Sequence, residues 1–242
     1  MSLGRSASLL VHGPAKSGKS TLASTAPKPL LFIDAEGGTR FLPITGIKWD
    51  PAREEPPVPD GTWDTAVVSV HNYDTVTQAY AWLQSGKHPF QAVVVDSISE
   101  IQQKLIEKIT NRGQAQQQDW GDVLRQFVGL MRDFRDLLEH PTRPLENVTL
   151  VAMTKQGADG LYHPWLQGQS ATMIPYLFDI CAAMTVTNYD DGTGTMVQAH
   201  RLLIGPNNQY LTGERVGGRL PSWVDNPNIE GLLESIFGPR PT

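Results

Sequence analysis

Cysteine and clustered histidine, the usual ligands of structural zinc, are scarce in this sequence. The one cysteine among 242 residues is Cys181, which lies in the apolar run YLFDICAAMTV. A single thiol excludes an intramolecular disulfide framework and fits a reducing compartment, and its apolar neighbours indicate a small buried hydrophobic residue. The histidines at positions 12, 71, 88, 140, 163 and 200 show no metal-ligand spacing. We therefore expect no structural metal.

Long hydrophobic runs are also absent. No segment approaches the roughly 18 uninterrupted apolar residues of a transmembrane helix. The first residues contain no apolar segment of the kind found in a secretory signal. We therefore expect a cytoplasmic protein with no membrane partner.

The chain lacks an excess of basic residues. It has 20 Lys and Arg against 25 Asp and Glu, a formal net charge of −5. Such a chain does not coat nucleic acid with its whole surface, so any nucleic-acid site must be a local basic groove. Because 40% of the residues are apolar, the chain can bury one sizeable core. We expect a single domain over residues 1–242, with a core at about 5–220 and a short C-terminal tail.

The clearest motif that is present is a glycine-rich loop between an apolar run and a helix-forming stretch. Gly13 and Gly18 are five positions apart, and Lys19 and Ser20 follow directly. This spacing is typical of the loop that wraps backbone N–H groups around nucleotide phosphates, and glycine lets the backbone approach closely. Lys19 can reach the outer phosphates, and the Ser20 hydroxyl can take an Mg²⁺ position. The candidate nucleotide-binding residues are Gly13, Pro14, Ala15, Lys16, Ser17, Gly18, Lys19, Ser20 and Thr21.

Short apolar runs alternate with helical stretches along the chain. The runs are SLLVHG, PLLFIDAEG, TAVVSV, FQAVVVDSIS and VTLVAMTKQ. Continuously apolar strands joined by crossover helices indicate parallel strands that are buried on both faces. We predict an α/β fold with a mostly parallel twisted sheet and helices on both faces. After residue 156 we predict a loop, a helix over ATMIPYLFDIC and a C-terminal β-hairpin with the turn YDDGTG.

Polar side chains end three of these apolar runs, and ligands of such sheets lie at the carboxyl ends of the strands. VVVDS ends in Asp96, whose carboxylate could hold Mg²⁺ opposite Ser20. LLFIDAEGG ends in Asp34 and Glu36; we expect Asp34 to cap the turn and Glu36 to orient and deprotonate an attacking water. VTLVAMTKQ ends in Gln156, whose amide could contact the terminal phosphate of a nucleotide.

These motifs occur in an order that resembles the ATPase core of the RecA family: GPAKSGKST, FIDAEGG, VVVDSIS and the strand ending in Lys155 and Gln156. The compact chain, with GERVGGRLP near its end, is more narrowly similar to the small phage RecA-like ATPases of single-strand annealing recombination. The likeness covers about residues 5–220. It implies binding and hydrolysis of ATP with Mg²⁺, with Glu36 as the catalytic carboxylate, Asp96 as the Mg²⁺-associated acid and Gln156 as the γ-phosphate sensor. A phage protein of this kind would act in the cytoplasm of a bacterial host.

The same resemblance implies single-stranded DNA as a partner, contacted by the loops TNRGQAQQQDW and KQGADGLYHPWLQGQS. Base stacking on aromatic side chains contributes about 1–3 kcal/mol per base, and cations track the phosphates. Because the two loops contain few cations, we expect modest and salt-sensitive binding. The alternative is that they are surface loops whose tryptophans fold onto the core. The candidate DNA-binding residues are Arg112, Trp120, Lys155, Tyr162 and Trp165.

Two arginines, Arg215 and Arg219, lie in the glycine-rich segment TGERVGGRLP. RecA-like oligomers use basic residues near this position in trans, which implies that Arg215, or Arg219 in its place, reaches the γ-phosphate of a neighbouring subunit. The expected partners are further copies of the chain, as a ring or short filament, and a single-strand-binding protein. Only about seven residues precede the first strand, so a filament built through an N-terminal helix and strand, as in RecA proper, is not expected.

Two other functions use the same phosphate loop. A small-molecule kinase would need an Arg-rich lid, but residues 110–170 are rich in glutamine instead. A nucleotide-gated interaction module, such as a helicase loader, would keep Lys19 and Asp96 without needing Glu36. The substitution Glu36→Gln separates these possibilities, because only an ATPase loses turnover while it retains ATP binding.

Overall fold

The computed structural model describes residues 4–190 and 192–240, and most of its strands form one mixed sheet. The strands are β1 (Ala7–His12), β2 (Leu30–Asp34), β3 (Gly46–Lys48), β4 (Thr65–Ser69), β5 (Ala92–Asp96), β6 (Asn147–Ala152), β7 (Thr154–Gln156), β8 (Tyr162–Pro164), β9 (Ile180–Asp190), β10 (Met196–Leu203), β11 (Gly213–Glu214) and β12 (Trp223–Asp225). The helices are α1 (Lys19–Ala23), α2 (Tyr73–Gln84), α3 (Ile98–Ile109), α4 (Asp119–Asp136), α5 (Ser170–Met173) and α6 (Ile229–Phe237).

The order of strands in the sheet is β12-β10-β9-β1-β6-β5-β2-β4-β3, and β11 pairs with β9. Strands β1 to β6 and the start of β9 are parallel to their neighbours, while β10, β11 and β12 are antiparallel. The register places Asp34 opposite Asp96, and Asp96 opposite Val151. The carboxyl ends of β1, β6, β5 and β2 therefore lie side by side, where a ligand is expected in such a sheet.

Side chains of the parallel strands are buried on both faces of the sheet. Alternate strand residues, such as Leu31 and Val93, pack with helices α2, α3 and α4, whereas Phe32 and Val94 pack with α1 and α6. Polar side chains cap three of the helices: Asn72 accepts from the Thr75 N–H at the start of α2, and Ser97 and Asn228 do the same for α3 and α6. The predicted α/β fold with a mostly parallel sheet is confirmed.

The predicted helix over residues 171–181 is wrong. The α-helical part ends at Met173, a 3₁₀ turn follows over Ile174–Leu177, and Phe178 is extended. Pro175 lacks an N–H group and so interrupts the hydrogen bonds of a continuing helix. The apolar residues after it pair with β1 as the start of β9, because Ile180 and Cys181 lie opposite Leu9 and Leu10.

The C-terminal hairpin is confirmed, since β9 and β10 pair from Asp190 and Met196 down to Ala183 and Leu203. Within its predicted turn, Asp191 lies outside the described residues. Cys181 is buried, as predicted, and burial raises the pKa of its thiol to about 12. No helix in the described part of the chain is long and apolar enough to cross a membrane.

Candidate functional site

The glycine-rich loop joins the central strand β1 to α1 at the carboxyl edge of the sheet. Pro14, Ala15 and Lys16 are exposed, while Ser17 is buried and its hydroxyl donates to the Pro14 carbonyl over 2.9 Å. The ammonium of Lys19 donates to the carbonyls of Gly13 and Pro14, at 2.9 and 2.7 Å. Lys19 therefore lies along the inside of the loop, and burial lowers its pKa while the charges of the nearby carboxylates act in the opposite direction.

Two glycines of this loop are required by packing inside the protein as well as by access to a phosphate. A Cβ atom at Gly13, where φ is 152°, would lie 2.2 Å from the Met184 carbonyl oxygen of β9. At Gly18, where φ is 94°, it would lie 2.8 Å from Nδ1 of His200 on β10. Both backbone angles are unfavourable for residues with side chains. The β9–β10 hairpin therefore packs directly against the loop.

The pair Ser20 and Asp96 joins the loop to the neighbouring strand β5. The Ser20 hydroxyl donates to Oδ2 of Asp96 over 2.5 Å, and Asp96 is only 4% exposed. Burial raises the pKa of Asp96 to about 6, and the charges of Glu36 and Asp34 act in the same direction. Hydroxyl and carboxylate oxygens are ligands that Mg²⁺ prefers, and a bound cation would favour the charged carboxylate. The residues present thus fit the predicted Mg²⁺ position.

A tight turn after β2 presents Glu36. Oδ1 of Asp34 accepts hydrogen bonds from the backbone N–H groups of residues 36, 37 and 38, and Oδ2 accepts from the N–H and hydroxyl of Thr39. The prediction that Asp34 caps this turn is confirmed. Glu36 itself is exposed, and its Oε1 accepts from the Ser97 hydroxyl over 2.5 Å.

These groups surround one cavity of about 600 Å³. Ser17 lies buried under the loop. The residues predicted from sequence that line the cavity together are Gly13, Pro14, Ala15, Lys16, Gly18, Lys19, Ser20, Thr21, Glu36 and Asp96. A cavity with glycine-loop backbone, one lysine and two carboxylates at the ends of adjacent strands can bind a nucleoside triphosphate and a divalent cation.

A larger cavity, of about 710 Å³, lies elsewhere, between residues 48–54 and the start of α2. Its cations and carboxylates are partly paired, as in the 3.3 Å contact between Arg53 and Asp50. None of the unpartnered buried polar atoms found among residues 4–190 and 192–240 lines it. The smaller cavity is the better candidate site, because it brings together the glycine-rich loop, Lys19 and the two carboxylates.

Three residues that line the site were not predicted from sequence: Met153, Thr154 and His200. His200 lies on β10, and its Nδ1–H donates to the Ser17 carbonyl over 2.9 Å. Thr154 follows β6 and places its hydroxyl 3.1 Å from Nδ1 of the buried His12. His200 is 180 positions from the loop along the chain, and no local signal in the sequence indicates this contact.

His12 ends β1 directly below the loop and is fully buried. Its Nε2–H donates to the carbonyl of Leu211 over 2.8 Å. Burial lowers its pKa to about 4, so the imidazole is neutral at pH 7. The neutral imidazole, hydrogen-bonded to Leu211 and next to the Thr154 hydroxyl, adds no charge just before the glycine-rich loop.

The structure does not bring Gln156 to the cavity. Strand β6 ends at Ala152, and the chain turns into a separate two-stranded sheet formed by β7 and β8. The Gln156 amide is exposed and donates to the Gly160 carbonyl at the tip of this small hairpin, over 3.0 Å. The hairpin occupies part of what was predicted to be an open loop.

The candidate DNA-binding residues do not share one location. Arg112 and Lys155 are exposed, and half-buried Tyr162 stacks on Tyr210 with ring centroids 5.2 Å apart. Trp120 lies beside residues 167–170, where the two predicted loops meet. Trp165 instead lines the cavity that contains Lys19 and Glu36.

Neither candidate arginine lines the cavity. The Nε of Arg215 donates to Oδ1 of Asp179 over 2.9 Å, and Asp179 also accepts from the Ser8 N–H near the start of β1. Arg215 therefore lies toward the amino end of β1, away from the loop at its carboxyl end. Arg219 donates to the Ile236 carbonyl of α6 over 3.3 Å.

Comparison with known proteins gives one family match. A family model described as an AAA domain matches residues 5–216. The matched range includes the glycine-rich loop, Glu36, Asp96 and the β9–β10 hairpin, and it ends before Arg219. No curated protein matches the chain.

Proposed function

The chain belongs to the AAA-domain family of P-loop ATPases, and we propose that it hydrolyses ATP with Mg²⁺ and acts on single-stranded DNA in recombination or annealing. The observation that carries the hydrolytic part is the meeting of Lys19, Ser20, Glu36 and Asp96 around one cavity. Each of these groups has a distinct chemical role in phosphoryl transfer.

The loop binds and orients the nucleotide. Its backbone N–H groups cradle the polyphosphate, and Lys19 exchanges its contacts with the Gly13 and Pro14 carbonyls for contacts with phosphate oxygens. Ser20 and Asp96 would hold Mg²⁺, which supplies neutralisation of phosphate charge when bound. The hydrogen bond between Ser20 and Asp96 holds the two side chains next to each other, in position to coordinate the cation.

Glu36 is the proposed general base. The Asp34-capped turn fixes its backbone, and the Ser97 hydroxyl holds its carboxylate on the cavity side of β5. From this position Glu36 can accept a proton from a water molecule that attacks the terminal phosphate. The Ser97 hydrogen bond is directed at one oxygen, so the other remains available for the water.

The DNA-directed part of the proposal is supported by the resemblance to small phage RecA-like ATPases and by exposed or half-buried groups near the two loops. Arg112 and Lys155 could track phosphates, and Trp120 and Tyr162 could stack on bases. The proposed partners are further copies of the chain, assembled as a ring or short filament, and a single-strand-binding protein. An action of Arg215 in trans would require it to exchange Asp179 for the phosphate of a neighbouring subunit.

Steady-state ATP hydrolysis with Mg²⁺, measured with and without single-stranded DNA, tests both parts. Lys19→Ala should abolish turnover and weaken nucleotide binding, whereas Glu36→Gln should abolish turnover and retain ATP binding. Turnover should rise with DNA. No Mg²⁺-dependent turnover in wild-type protein would contradict the hydrolytic part, unchanged turnover in Glu36→Gln would contradict Glu36 as the general base, and turnover indifferent to DNA would contradict the DNA-directed part.

A further inference from the structure

Trp165 is fixed at the rim of the nucleotide cavity by its main chain. Its N–H donates to the Met153 carbonyl just beyond β6, over 2.7 Å, and its carbonyl accepts from the Ser99 hydroxyl of α3, over 2.8 Å. The Ser99 oxygen also accepts from the Met153 N–H, over 3.0 Å. The neighbouring residues Pro164 and Leu166 are buried. The main chain of Trp165 is therefore held by the sheet and by α3, and its side chain lines the cavity.

The segment that follows Trp165 is also anchored. The Gln167 N–H donates to Oε1 of Gln102 over 2.7 Å, and the Gln102 amide donates back to the Gln167 carbonyl over 3.2 Å. Gln102 is buried on α3. Residues 165–167 are thus attached to α3 by both main-chain and side-chain contacts, which argues against a free DNA-facing loop at Trp165.

The sheet order shows which end of the cavity Trp165 occupies. Strand β6 lies between β1, which leads to Lys19, and β5, which ends in Asp96. Trp165 is hydrogen-bonded to Met153, just beyond the end of β6, and therefore lies between the glycine-rich loop and the carboxylates. His200 lies on the other side of β1, on β10. In the proposed function the terminal phosphate is on the carboxylate side, so Trp165 is at the reacting end.

The side chain has the properties of a nucleotide contact. It is 47% exposed, and its indole N–H has no hydrogen-bond partner among the residues that the structure describes. An indole has one N–H donor and no acceptor, so it suits an anionic oxygen, while its ring excludes water. A ring beside the reacting centre also strengthens the electrostatic contacts there.

We propose that Trp165 contacts the nucleotide: its ring closes the reacting end of the cavity, and its indole N–H donates to a terminal phosphate oxygen. This role replaces the DNA contact predicted from sequence. The inference rests on the proposed function only in that the cavity binds ATP with its terminal phosphate toward Glu36.

Tryptophan emission of the full chain tests the contact, with a non-hydrolysable ATP analogue and ADP as ligands in the presence of Mg²⁺. We expect a larger change with the ATP analogue than with ADP, and we expect Trp165→Phe to lose that change. The matched control is Trp223→Phe, because Trp223 is 53% exposed on the edge strand β12, away from the cavity. The control should keep the nucleotide-dependent change.

Kinetics and DNA binding of the same variants give a second readout. Loss of a hydrogen bond to a charged group should lower kcat of Trp165→Phe by about tenfold or more. ADP affinity and single-stranded DNA affinity should stay within about twofold, which is less than 0.5 kcal/mol. Thermal unfolding of each variant checks that the fold is retained, and Trp165→Leu provides a second substitution if the Phe variant does not fold.

Retention of the full emission change in folded Trp165→Phe would overturn the proposal. Weakened DNA binding with unchanged kcat would also overturn it and restore the DNA-facing assignment. If wild-type protein shows the Trp165-dependent change but no hydrolysis, the nucleotide contact stands and the proposed ATPase activity fails. The two inferences therefore have separate outcomes.

Discussion

Single side chains of the cavity are held in states that a bound ligand would change, and Asp96 is an example. Its burial opposes ionisation, while a cation beside it would favour the carboxylate. Burial also keeps His12 neutral, because it opposes the positive charge of the imidazolium just as it opposes the negative charge of the Asp96 carboxylate. At the scale of residues, burial thus opposes charge on both Asp96 and His12.

Asp96→Asn should stabilise the ligand-free protein at pH 7. Because the pKa of Asp96 is raised to about 6, the folded state binds the proton more tightly than the unfolded state, and the contribution of Asp96 to stability falls as pH rises from about 4 through 6. Removing the buried charge should add about 1–3 kcal/mol at pH 7, and the gain should shrink below pH 6. Urea unfolding at several pH values measures it. Mg²⁺ should stabilise wild-type protein only; an equal Mg²⁺ effect on the variant would contradict the assignment.

His12 predicts a second pH dependence. Its pKa is lowered to about 4 in the folded state, so the unfolded state binds more protons at this residue between pH 4 and 6.5, and the contribution of His12 to stability falls as pH decreases through that window, opposite in sign to the contribution of Asp96. His12→Gln, which can keep the hydrogen bond to Leu211, should lower the slope of stability against pH in this window by about one proton. Urea unfolding from pH 4 to 7 checks the slope. A profile as steep as that of wild-type protein would contradict a neutral, buried His12.

Two hairpins determine how the site is completed at the scale of secondary-structure elements. The β9–β10 hairpin supports the phosphate loop through Met184 and His200, and the β7–β8 hairpin leads the chain from Thr154 to Trp165. Neither contact is local in sequence. The shape of the glycine-rich loop therefore depends on elements that follow it by more than 130 residues in the chain.

A double-mutant cycle tests the contact between the loop and β10. Gly18→Ala should cost about 1–3 kcal/mol of stability, because a Cβ there is strained and approaches the His200 ring. His200→Ala in the same chain should recover part of that cost, because the ring can be removed. The matched variant Gly13→Ala meets the backbone carbonyl of Met184, so the same second substitution should recover nothing. Chemical unfolding measures wild-type protein and the five variants, and strict additivity at Gly18 and His200 would contradict the contact.

The whole molecule combines an acidic chain with one cluster of site residues at the carboxyl edge of its sheet. The net charge is −5, so attraction to DNA must come from a few local cations. Arg112 and Lys155 are exposed, and neither forms a salt bridge within residues 4–190 and 192–240. At this scale, the small number of free cations near the two loops would limit the affinity for the DNA that we propose as a partner.

DNA binding should therefore show a shallow dependence on salt. Each phosphate contact of a single strand contributes a slope of about −0.7 in log affinity against log salt concentration. We expect Arg112→Ala and Lys155→Ala each to reduce the slope by about that amount, and Lys87→Ala, a control on the loop after α2, to leave it unchanged. Titration of fluorescent single-stranded DNA at several salt concentrations measures the slopes. Equal slopes in all variants would contradict a DNA role for Arg112 and Lys155.

The sequence by itself determined the parts of this protein that depend on local physics. Continuous apolar runs predicted the buried parallel strands, and the spacing of Gly13 and Lys19 predicted the loop. The position of Asp34 at the end of an apolar run predicted that its side chain caps the following turn. Each of these signals is contained within a few neighbouring residues. The rule that ligands lie at the carboxyl ends of strands also placed Glu36 and Asp96 together. That inference succeeded because β5 and β2 are adjacent and parallel in the sheet.

Only the tertiary structure decided which distant residues meet at the loop. Nothing local in the sequence distinguishes His200, which contacts the loop, from the other histidines. The sequence around Trp165 is typical of a DNA-binding loop, and only its hydrogen bonds to Met153 and Ser99 place it at the cavity. Gln156 ends the predicted strand, but the chain turns after Ala152 and carries the amide to another hairpin. These positions depend on the pairing of strands that are more than 100 residues apart in the chain, such as β1 and β6. Local sequence patterns do not indicate such pairing.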